Sequence, residues 1–215
     1  GNELAGEVCV ENRGLMDLEV SVRGERGPTG MGGAPGDMTT RLFLARDEIA
    51  KMLGAMLTLS GPPGWRSQLR FPFIKVGETG IFNITAGLGV LGIEVRPLPQ
   101  DGVEPVVERV RSYCQEMGFE LAVVAAENGI ACSPENIYLG LLLDSVREAP
   151  GQEPVLGKKL PATSARFAPG GQGVVWGQTG IGPHARDERH FLPSIAPYYR
   201  ALDALGSRLR SPVPL

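Results

Sequence analysis

The chain has 215 residues, enough for one large domain or two small ones, and its 42% hydrophobic and 21% charged residues are ordinary for a globular protein. Its net charge of −3 comes from mixed signs without a Lys/Arg cluster, which excludes the basic surface of a nucleic-acid or anionic-membrane binder. No apolar run approaches the roughly 20 residues of a membrane span, and the first residues lack the basic and apolar segments of a signal peptide.

The first part of the chain combines the periods of strands and of a helix. A short apolar strand is predicted at 8–10, and strict alternation of apolar and polar residues predicts a half-buried strand at 15–22. A glycine-rich loop over 24–36 follows. Apolar residues then recur at helical spacing and predict a helix over 38–59, which the sequence Ser-Gly-Pro-Pro-Gly terminates.

The next elements complete a recognisable order. Strands are predicted at 70–76, 80–85 and 90–96, a helix at 103–117 with Gly118 as its cap, and a further strand at 119–126. The order strand, helix, strands, helix, strand is typical of the split βαβ, or ferredoxin-like, arrangement. We therefore predict an antiparallel sheet with two helices on one face.

In the rest of the chain the predicted strands and helices alternate differently from those of the first part. A domain boundary is therefore predicted near Cys132. The predicted elements after it are a helix at 136–148, strands at 155–159 and 173–176, and a last helix at 194–205 capped by Gly206. The three cysteines, Cys9, Cys114 and Cys132, are odd in number and far apart. This usage favours reduced core thiols and predicts a cytoplasmic protein.

Two motifs in the first part resemble a known pattern. Asn12-Arg13-Gly14 stands directly before the alternating strand. Asn83 begins an Asn-Ile-Thr-Ala stretch, and Arg96 follows it by thirteen positions at the predicted end of a strand. The pattern has a proline where this chain has Ala86.

The third motif is the most specific, and it consists of the stretches 163–167, 174–177 and 184–188 in that order. Together with the first two, it resembles the C-terminal part of the di-zinc metallopeptidase and deacylase family. That family includes succinyl-diaminopimelate desuccinylase, acetylornithine deacetylase, aminoacylase and the carnosine dipeptidases. Ser164 replaces the family's aspartate, and Ala185-Arg186 replaces its Thr-Pro.

The resemblance implies an α/β (α+β) fold. It implies a split βαβ, ferredoxin-like satellite domain plus the C-terminal part of an α/β zinc-hydrolase catalytic domain. Residues 1–13 would end a catalytic-domain segment, 14–131 would be the satellite or dimerisation domain, and 132–215 the C-terminal part of the catalytic domain. The family pairs satellite domains, so a homodimer is expected, and methionines on the 38–59 helix suggest a second buried face.

The resemblance also implies zinc, with two metal ions held by histidines, a bridging aspartate and glutamates. This chain has two histidines, His184 and His190, and lacks the family's His-x-Asp and Glu-Glu segments. His184 has the family's motif around it and is the predicted metal ligand, the alternative being a surface loop histidine. Asn2 occupies the position of the family's last N-terminal glutamate ligand, and Glu3 is one position away.

The resemblance assigns substrate roles to Asn83, Arg96 and Arg166, and makes Glu188 a candidate that would orient His184 or its neighbours. Arg96 would hold a substrate carboxylate with its guanidinium fork. Each residue has a structural alternative. Asn83 could cap a turn, Arg96 could form a strand-end salt bridge, Arg166 could be a strand-edge charge, and Glu188 could be a solvated charge.

The sequence Gly-Leu-Gly-Val-Leu-Gly over 87–92 matches a dinucleotide-binding pattern. That pattern requires a helix after its third glycine, whereas a strand is predicted here, so the interpretation is rejected. The glycine-rich loop over 28–33 lacks the histidine that family members often carry after the first satellite strand.

Two functional hypotheses follow. The first is that the chain is part of a zinc-dependent amide or peptide hydrolase, a peptidase or N-acyl amino acid deacylase. It would act on small carboxylate-bearing substrates such as peptides or acylated amino acids, and would be inactive as this chain alone. The alternative is a non-catalytic dimerising or ligand-binding homologue that has lost the metal site. The loop without histidine, Ser164 and Asn2 favour the alternative. His184 with Glu188, Asn83 and Arg96 favours the enzyme.

Overall fold

The computed structural model describes residues 7–31, 37–62, 64–149, 153–178, 180–182 and 185–210. Asn2, Glu3 and His184 lie outside these described residues, as does the second part of the glycine-rich loop, 32–36. The chain divides into two compact units. The ferredoxin-like unit comprises Arg13–Gly129 and Leu160–Ala162, and the terminal unit comprises Gly1–Asn12, Ile130–Lys159 and Thr163–Leu215.

The predicted α/β fold is confirmed. Within the described residues the strands are β1 (Glu7–Asn12), β2 (Leu15–Arg23), β3 (Gln68–Arg70), β4 (Ile74–Val76), β5 (Leu88–Arg96), β6 (Glu120–Glu127), β7 (Ile130–Ala131), β8 (Val155–Lys159), β9 (Gly180–Ile181) and β10 (Arg189–His190). The α-helices there are α1 (Met38–Met56), α2 (Glu104–Met117), α3 (Ile137–Glu148) and α4 (Ile195–Leu209). None of these helices has both the length and the apolar character needed to cross a bilayer.

The ferredoxin-like unit contains one antiparallel sheet with the order β3-β5-β2-β6, and β4 also pairs with β5. Leu18 of β2 is paired with Ile93 of β5 and with Val123 of β6. Alternate residues of β2 are buried, as its alternating sequence predicted, because successive side chains of a strand point to opposite faces. The other face carries the polar and charged side chains.

The two helices of this unit pack on the apolar face of the sheet. Buried residues of α1 recur at helical spacing, and α2 has the same pattern. These residues are Leu42, Ala45, Ile49 and Leu53 of α1 and Val106, Val107, Val110 and Cys114 of α2. Asp37 caps α1 by accepting a hydrogen bond from the Thr39 backbone N–H at 3.0 Å, and Gly118 ends α2 in the left-handed conformation with a φ of 68°.

A hydrogen-bonded aspartate joins three loops at one end of this unit. Asp101 accepts bonds from the Thr58 hydroxyl at 2.6 Å and the Thr58 backbone N–H at 3.1 Å, and also from the Ser67 hydroxyl. The Ser67 oxygen in turn accepts a bond from the Leu98 backbone N–H at 2.7 Å. Because Ser67 is buried, these bonds satisfy groups that would otherwise be costly to bury. They anchor the end of β5 next to the exit of α1.

The terminal unit is built on a three-stranded sheet with the order β7-β1-β8. β1 runs antiparallel to β7 and parallel to β8, and α3 packs against α4. Asn12, which is fully buried, joins β7 of this sheet to the segment at Thr163. It accepts a bond from the Ile130 backbone N–H at 3.0 Å and donates one to the Thr163 hydroxyl at 2.8 Å. A separate hairpin consists of β9 and β10.

Five predicted elements differ from the described structure by more than one or two residues at an end. Helix α1 ends at Met56, because Leu57 is already extended. The strand predicted at 70–76 is two short strands on either side of Pro72, which lacks the N–H that a ladder needs. Residues 80–85 and 173–176 form only isolated bridges, Pro28 with Ile84 and Cys9 with Val175. Helix α4 continues through Gly206 to Leu209 instead of ending at 205.

Candidate functional site

Arg96 lies at the end of β5 and is held by a carboxylate on the same strand. Its Nε and Nη2 atoms lie 2.9 and 2.7 Å from Oε1 of Glu94. The two side chains share the polar face of the sheet because they are two positions apart. The strand-end salt bridge considered from the sequence is therefore present. The pair occupies one edge of the guanidinium, and the remaining N–H groups of Arg96 are still able to donate to a ligand.

Two further arginines surround this pair. Arg70 of β3 is paired in register with Glu94, and its Nη2 atom lies 2.8 Å from Oε2 of Glu94. Arg13, two residues before β2, is buried and donates to the backbone oxygens of Leu160 at 2.9 Å and Arg66 at 3.3 Å. Burial lowers the pKa of the Arg13 guanidinium, and the positive charges of Arg96 and Arg70 lower it further. The four side chains form one cationic cluster.

Asn83 belongs to the same unit and lies on the exposed loop between β4 and β5. Its backbone oxygen accepts a bond from the Thr29 N–H at 3.0 Å, and its side chain is exposed. Thr85 anchors the loop, since its hydroxyl accepts a bond from the Gly27 N–H at 2.8 Å and its own N–H donates to the Gly27 oxygen at 2.8 Å. Phe82, beside Asn83, is 90% exposed.

Two adjoining cavities of about 370 and 400 Å³ border this loop. Their shared lining is Gly77, Glu78, Ile81, Ile84, Thr85 and Ala86. Glu78 also pairs with Arg26 at 3.3 Å. Asn83 itself lines neither cavity, so the cavities do not add to its predicted substrate role.

Arg166 belongs to the terminal unit and lies on the 3-10 turn Ser164–Phe167, not on a strand edge. Its Nη1 atom donates to the Thr163 backbone oxygen at 2.9 Å, and its guanidinium lies 4.5 Å from the centre of the Phe167 ring. A cation over an aromatic face is attracted by the ring quadrupole. Arg166 is half-buried and is therefore held in one orientation by its own turn.

Glu188 is exposed and immediately precedes β10. Its predicted partner, His184, lies outside the described residues, and His190 is exposed on β10. Among the residues that the structure describes, no three His, Cys, Asp or Glu side chains are grouped so that they could hold a metal ion. The described part of the terminal unit alone therefore does not fit a zinc site.

The terminal unit also contains an apolar cavity of about 540 Å³ between α3, α4 and the 168–174 segment. Leu139, Leu142, Val174 and Leu205 are among its apolar lining residues. At its polar end Gln172 accepts a bond from the Ser133 backbone N–H at 2.9 Å.

The three thiols are buried, as the spacing of the cysteines predicted. Burial raises the pKa of Cys9 and Cys132, and raises that of Cys114 to about 11. A thiol with a raised pKa remains protonated at neutral pH and is a poor nucleophile. The glycine-rich 87–92 stretch lies within strand β5 except for its first residue, which agrees with the rejection of dinucleotide binding.

The structure thus divides the predicted residues between the two units and adds others beside Arg96. Asn83 and Arg96 belong to the ferredoxin-like unit, whereas Arg166 and Glu188 belong to the terminal unit. Sequence reasoning missed Arg13, Arg70 and Glu94. The spacing of Glu94 and Arg96 on one strand was an available signal, because residues two apart share a face. No local signal links Arg70 to them, since only the pairing of β3 with β5 does so.

The comparisons with known proteins identify the fold. No protein-family model and no curated protein matches the chain. Among solved structures, this chain is similar to an amidase of the hydantoinase/carbamoylase family from Burkholderia phymatum, with a TM-score of 0.60 and 14% identity. The match covers 96% of this chain and 50% of the amidase. A second match is to aminopeptidase PepT from Bacillus cereus, with a TM-score of 0.64 and 16% identity. It covers 98% of this chain and 56% of the aminopeptidase.

A third match is to AtUAH in complex with glyoxylate, with a TM-score of 0.60 and 13% identity. It covers 96% of this chain and 49% of the other. This chain therefore spans about half the length of the structures that it resembles. At these identities the likeness concerns the fold, and the fold that this chain shares is that of amidase and peptidase structures.

Proposed function

We propose that this chain is the C-terminal part of a zinc-dependent amide or peptide hydrolase that acts on small carboxylate-bearing amides. Peptides and N-acyl amino acids are the proposed substrates. The observation that carries this proposal is the match of nearly the whole chain to half of an amidase and half of an aminopeptidase. Because fold alone does not establish function, the proposal also rests on the residues below.

The proposed substrate residues have the chemistry that the reaction requires. Arg96 is held by Glu94 at a strand end, where its outward N–H groups would bind a substrate carboxylate. Asn83, on an exposed loop of the same unit, would donate to a carbonyl or carboxylate oxygen. Arg166 is the third proposed substrate residue, and its guanidinium has the chemistry to bind a carboxylate. His184 is the proposed zinc ligand of this chain, with Glu188 as the group that orients it.

The terminal unit has the surface expected of an element that packs against further polypeptide. Val155 and Leu156 are exposed on β8, which pairs with β1 alone among the described strands, and Leu192 and Tyr199 are exposed at the last helix. Large exposed apolar patches mark interaction sites in soluble proteins. We propose that the remaining metal ligands belong to polypeptide that packs here, and that the enzyme is cytoplasmic.

Zinc would activate a water molecule and polarise the amide carbonyl when bound. A catalytic zinc needs three protein ligands and an open position, whereas this chain contributes one proposed imidazole. We therefore expect the chain alone to bind zinc weakly and to hydrolyse no amide. Metal analysis of the purified chain measures zinc binding. Assays on N-acetyl amino acids and dipeptides, with zinc or cobalt added, measure hydrolysis. Stoichiometric tight zinc, or turnover that His184→Ala abolishes, would contradict this expectation.

The decisive experiment uses a longer polypeptide that also contains the residues encoded directly upstream of Gly1. We expect that sequence to encode a His-x-Asp motif and a Glu-Glu pair, and the longer protein to hydrolyse these substrates with zinc. His184→Ala should then abolish zinc-dependent turnover, whereas His190→Ala, a matched control on exposed β10, should leave it unchanged. A longer protein without zinc and without turnover would favour the non-catalytic homologue, to which the replacement of aspartate by Ser164 also points.

We also propose that the chain forms a homodimer through the ferredoxin-like unit. Within the described part of the sheet β6 is an edge strand, because it pairs with β2 alone. It exposes Val123 and Val124. An open apolar edge strand is a template for pairing with a second copy. The methionines of α1 pack against the unit's own core instead of forming a second face, and Phe43 and Leu44 are the large apolar residues of α1 that remain exposed.

Val124→Lys is expected to shift the chain from dimer to monomer, because a lysine on the edge of a sheet prevents edge-to-edge pairing. Light scattering coupled to gel filtration, at high micromolar concentration, measures the mass. The matched control is Val155→Lys on the edge strand β8 of the terminal unit, since Val124 and Val155 are 64% and 60% exposed. A monomeric wild type, or dissociation by the control alone, would contradict the proposed interface.

A further inference from the structure

The strand-end ion pair of Arg96 includes a second arginine that the proposed function does not use. Glu94 receives Arg96 on Oε1 and Arg70 on Oε2, at 2.7 and 2.8 Å. One carboxylate thus holds two guanidinium groups, each on its own oxygen. Arg70 and Glu94 are direct partners in the pairing of β3 with β5, so the sheet itself places the two arginines side by side.

The cluster has more positive charge than its own carboxylate neutralises. Arg13 adds a third guanidinium, buried and held by the backbone oxygens of Leu160 and Arg66. Among the described residues, Glu94 is the carboxylate that pairs with these arginines. Like charges held together in a protein are stabilised when an anion binds between them. The excess charge therefore favours an anionic ligand with more than one negative charge.

The exposure of the side chains indicates which of them a ligand can reach. The Glu94 side chain is 17% exposed, that of Arg96 29% and that of Arg70 63%. Glu94 is thus the least exposed of the three side chains, whereas both arginine side chains retain surface that a ligand can reach. A guanidinium has five N–H donors, so each arginine retains donors after its bond to Glu94.

We propose that Arg70 and Arg96 form a clamp for a ligand with two carboxylate groups, and that Glu94 is the positioning residue that holds the clamp together. Arg96 binds one carboxylate of the ligand, and Arg70 binds the other. The substrate class is then an amide that contains an acidic amino acid or a dicarboxylic acyl group. This inference rests on the proposed function only for the role of Arg96.

Isothermal titration of the whole chain with succinate and with acetate tests the clamp. We expect succinate to bind at least about tenfold more tightly than acetate, since each additional charge-assisted pair with arginine strengthens binding. Arg70→Gln should reduce succinate affinity to near that of acetate, with only a smaller loss of acetate affinity from the removed charge. Arg96→Gln should weaken both ligands. Arg23→Gln is the matched control, because Arg23 forms an exposed pair with Glu120 on the same sheet and should change neither affinity.

Glu94→Gln separates positioning from charge. Removal of its negative charge alone would strengthen the binding of the doubly charged succinate more than that of acetate and so raise the ratio of succinate to acetate affinity. Loss of positioning lowers that ratio. We expect that ratio to fall, and an unchanged or raised ratio would overturn the positioning role. Thermal unfolding checks each variant, and Arg70→Lys, which retains the charge but not the fork, replaces Arg70→Gln if that variant does not fold.

A wild type without preference for succinate would overturn the clamp, as would an Arg70→Gln variant that retains the preference. Binding of free dicarboxylates requires no metal and no hydrolysis. Failure of the hydrolase assays would therefore leave the clamp intact, and failure of the clamp would leave the zinc hydrolase to be tested separately.

Discussion

Replacement of Gly14 by alanine is expected to lower the free energy of unfolding of the ferredoxin-like unit by about 3 kcal/mol, the upper end of what overpacking usually costs. A methyl group at this position would overlap the Glu127 carbonyl oxygen and lie 2.9 Å from the Gly129 nitrogen. Both are backbone atoms, so no side-chain rotation relieves the overlap. The Gly14 N–H also donates to the Pro97 oxygen at 2.8 Å, which prevents the chain from moving away.

Urea denaturation followed by circular dichroism measures this loss. Gly27→Ala is the matched control in the same unit, because a methyl group there has no heavy atom within 4 Å and the backbone is not in the left-handed region. The control is expected to change stability by less than about 0.5 kcal/mol. Equal stability of the two variants would show that the chain is not packed around Gly14 as described.

Gly173→Ala is expected to destabilise the terminal unit by about 2 to 3 kcal/mol. A methyl group at Gly173 would overlap the Ala165 carbonyl oxygen, lie 2.9 Å from the Ala165 carbonyl carbon, and lie 3.0 Å from the Ala168 methyl group. The turn that contains Arg166 must therefore separate from the segment after Gly173. Val175 in that segment exchanges two backbone hydrogen bonds of 2.9 Å with Cys9 of β1, so the strain reaches the sheet.

Hydrogen exchange at the amides of Cys9 and Val175 reports this effect locally, and urea denaturation reports it globally. Faster exchange at both amides is expected in Gly173→Ala. Gly177→Ala, four residues further along and without a heavy atom near the added methyl group, is expected to leave both measurements unchanged. Unaltered exchange in Gly173→Ala would contradict the close approach of the two segments.

Elements whose burial follows a local period were predictable. The alternation in β2 and the helical spacing of apolar residues in α2 appear directly in the sequence, because side-chain direction repeats with the geometry of the backbone. Helix α4 is longer than predicted, because Gly206 lies inside the helix instead of capping it. A glycine inside a helix costs about 1 kcal/mol relative to alanine, and α4 tolerates that cost while packed against α3.

Short apolar segments were not predictable in the same way. Residues 80–85 and 173–176 have the composition of strands, yet a strand also needs a partner along its length. Each of these segments makes only an isolated bridge. In contrast, β8 was predicted correctly, but its parallel pairing with β1 joins residues far apart in the chain, and local sequence does not specify that pairing.

The sequence by itself determined the two-part order of elements, the split βαβ arrangement, the buried thiols and the position of Arg96 at a strand end. It did so because hydrophobic period and turn residues act over a few neighbouring positions. Only the tertiary structure decided that Arg70 and Arg96 share Glu94, that buried Arg13 stands beside them, and that Asn12 joins β7 to the segment at Thr163. These contacts depend on strand register and on packing between distant segments, where the pairing energy of the whole sheet selects the neighbours.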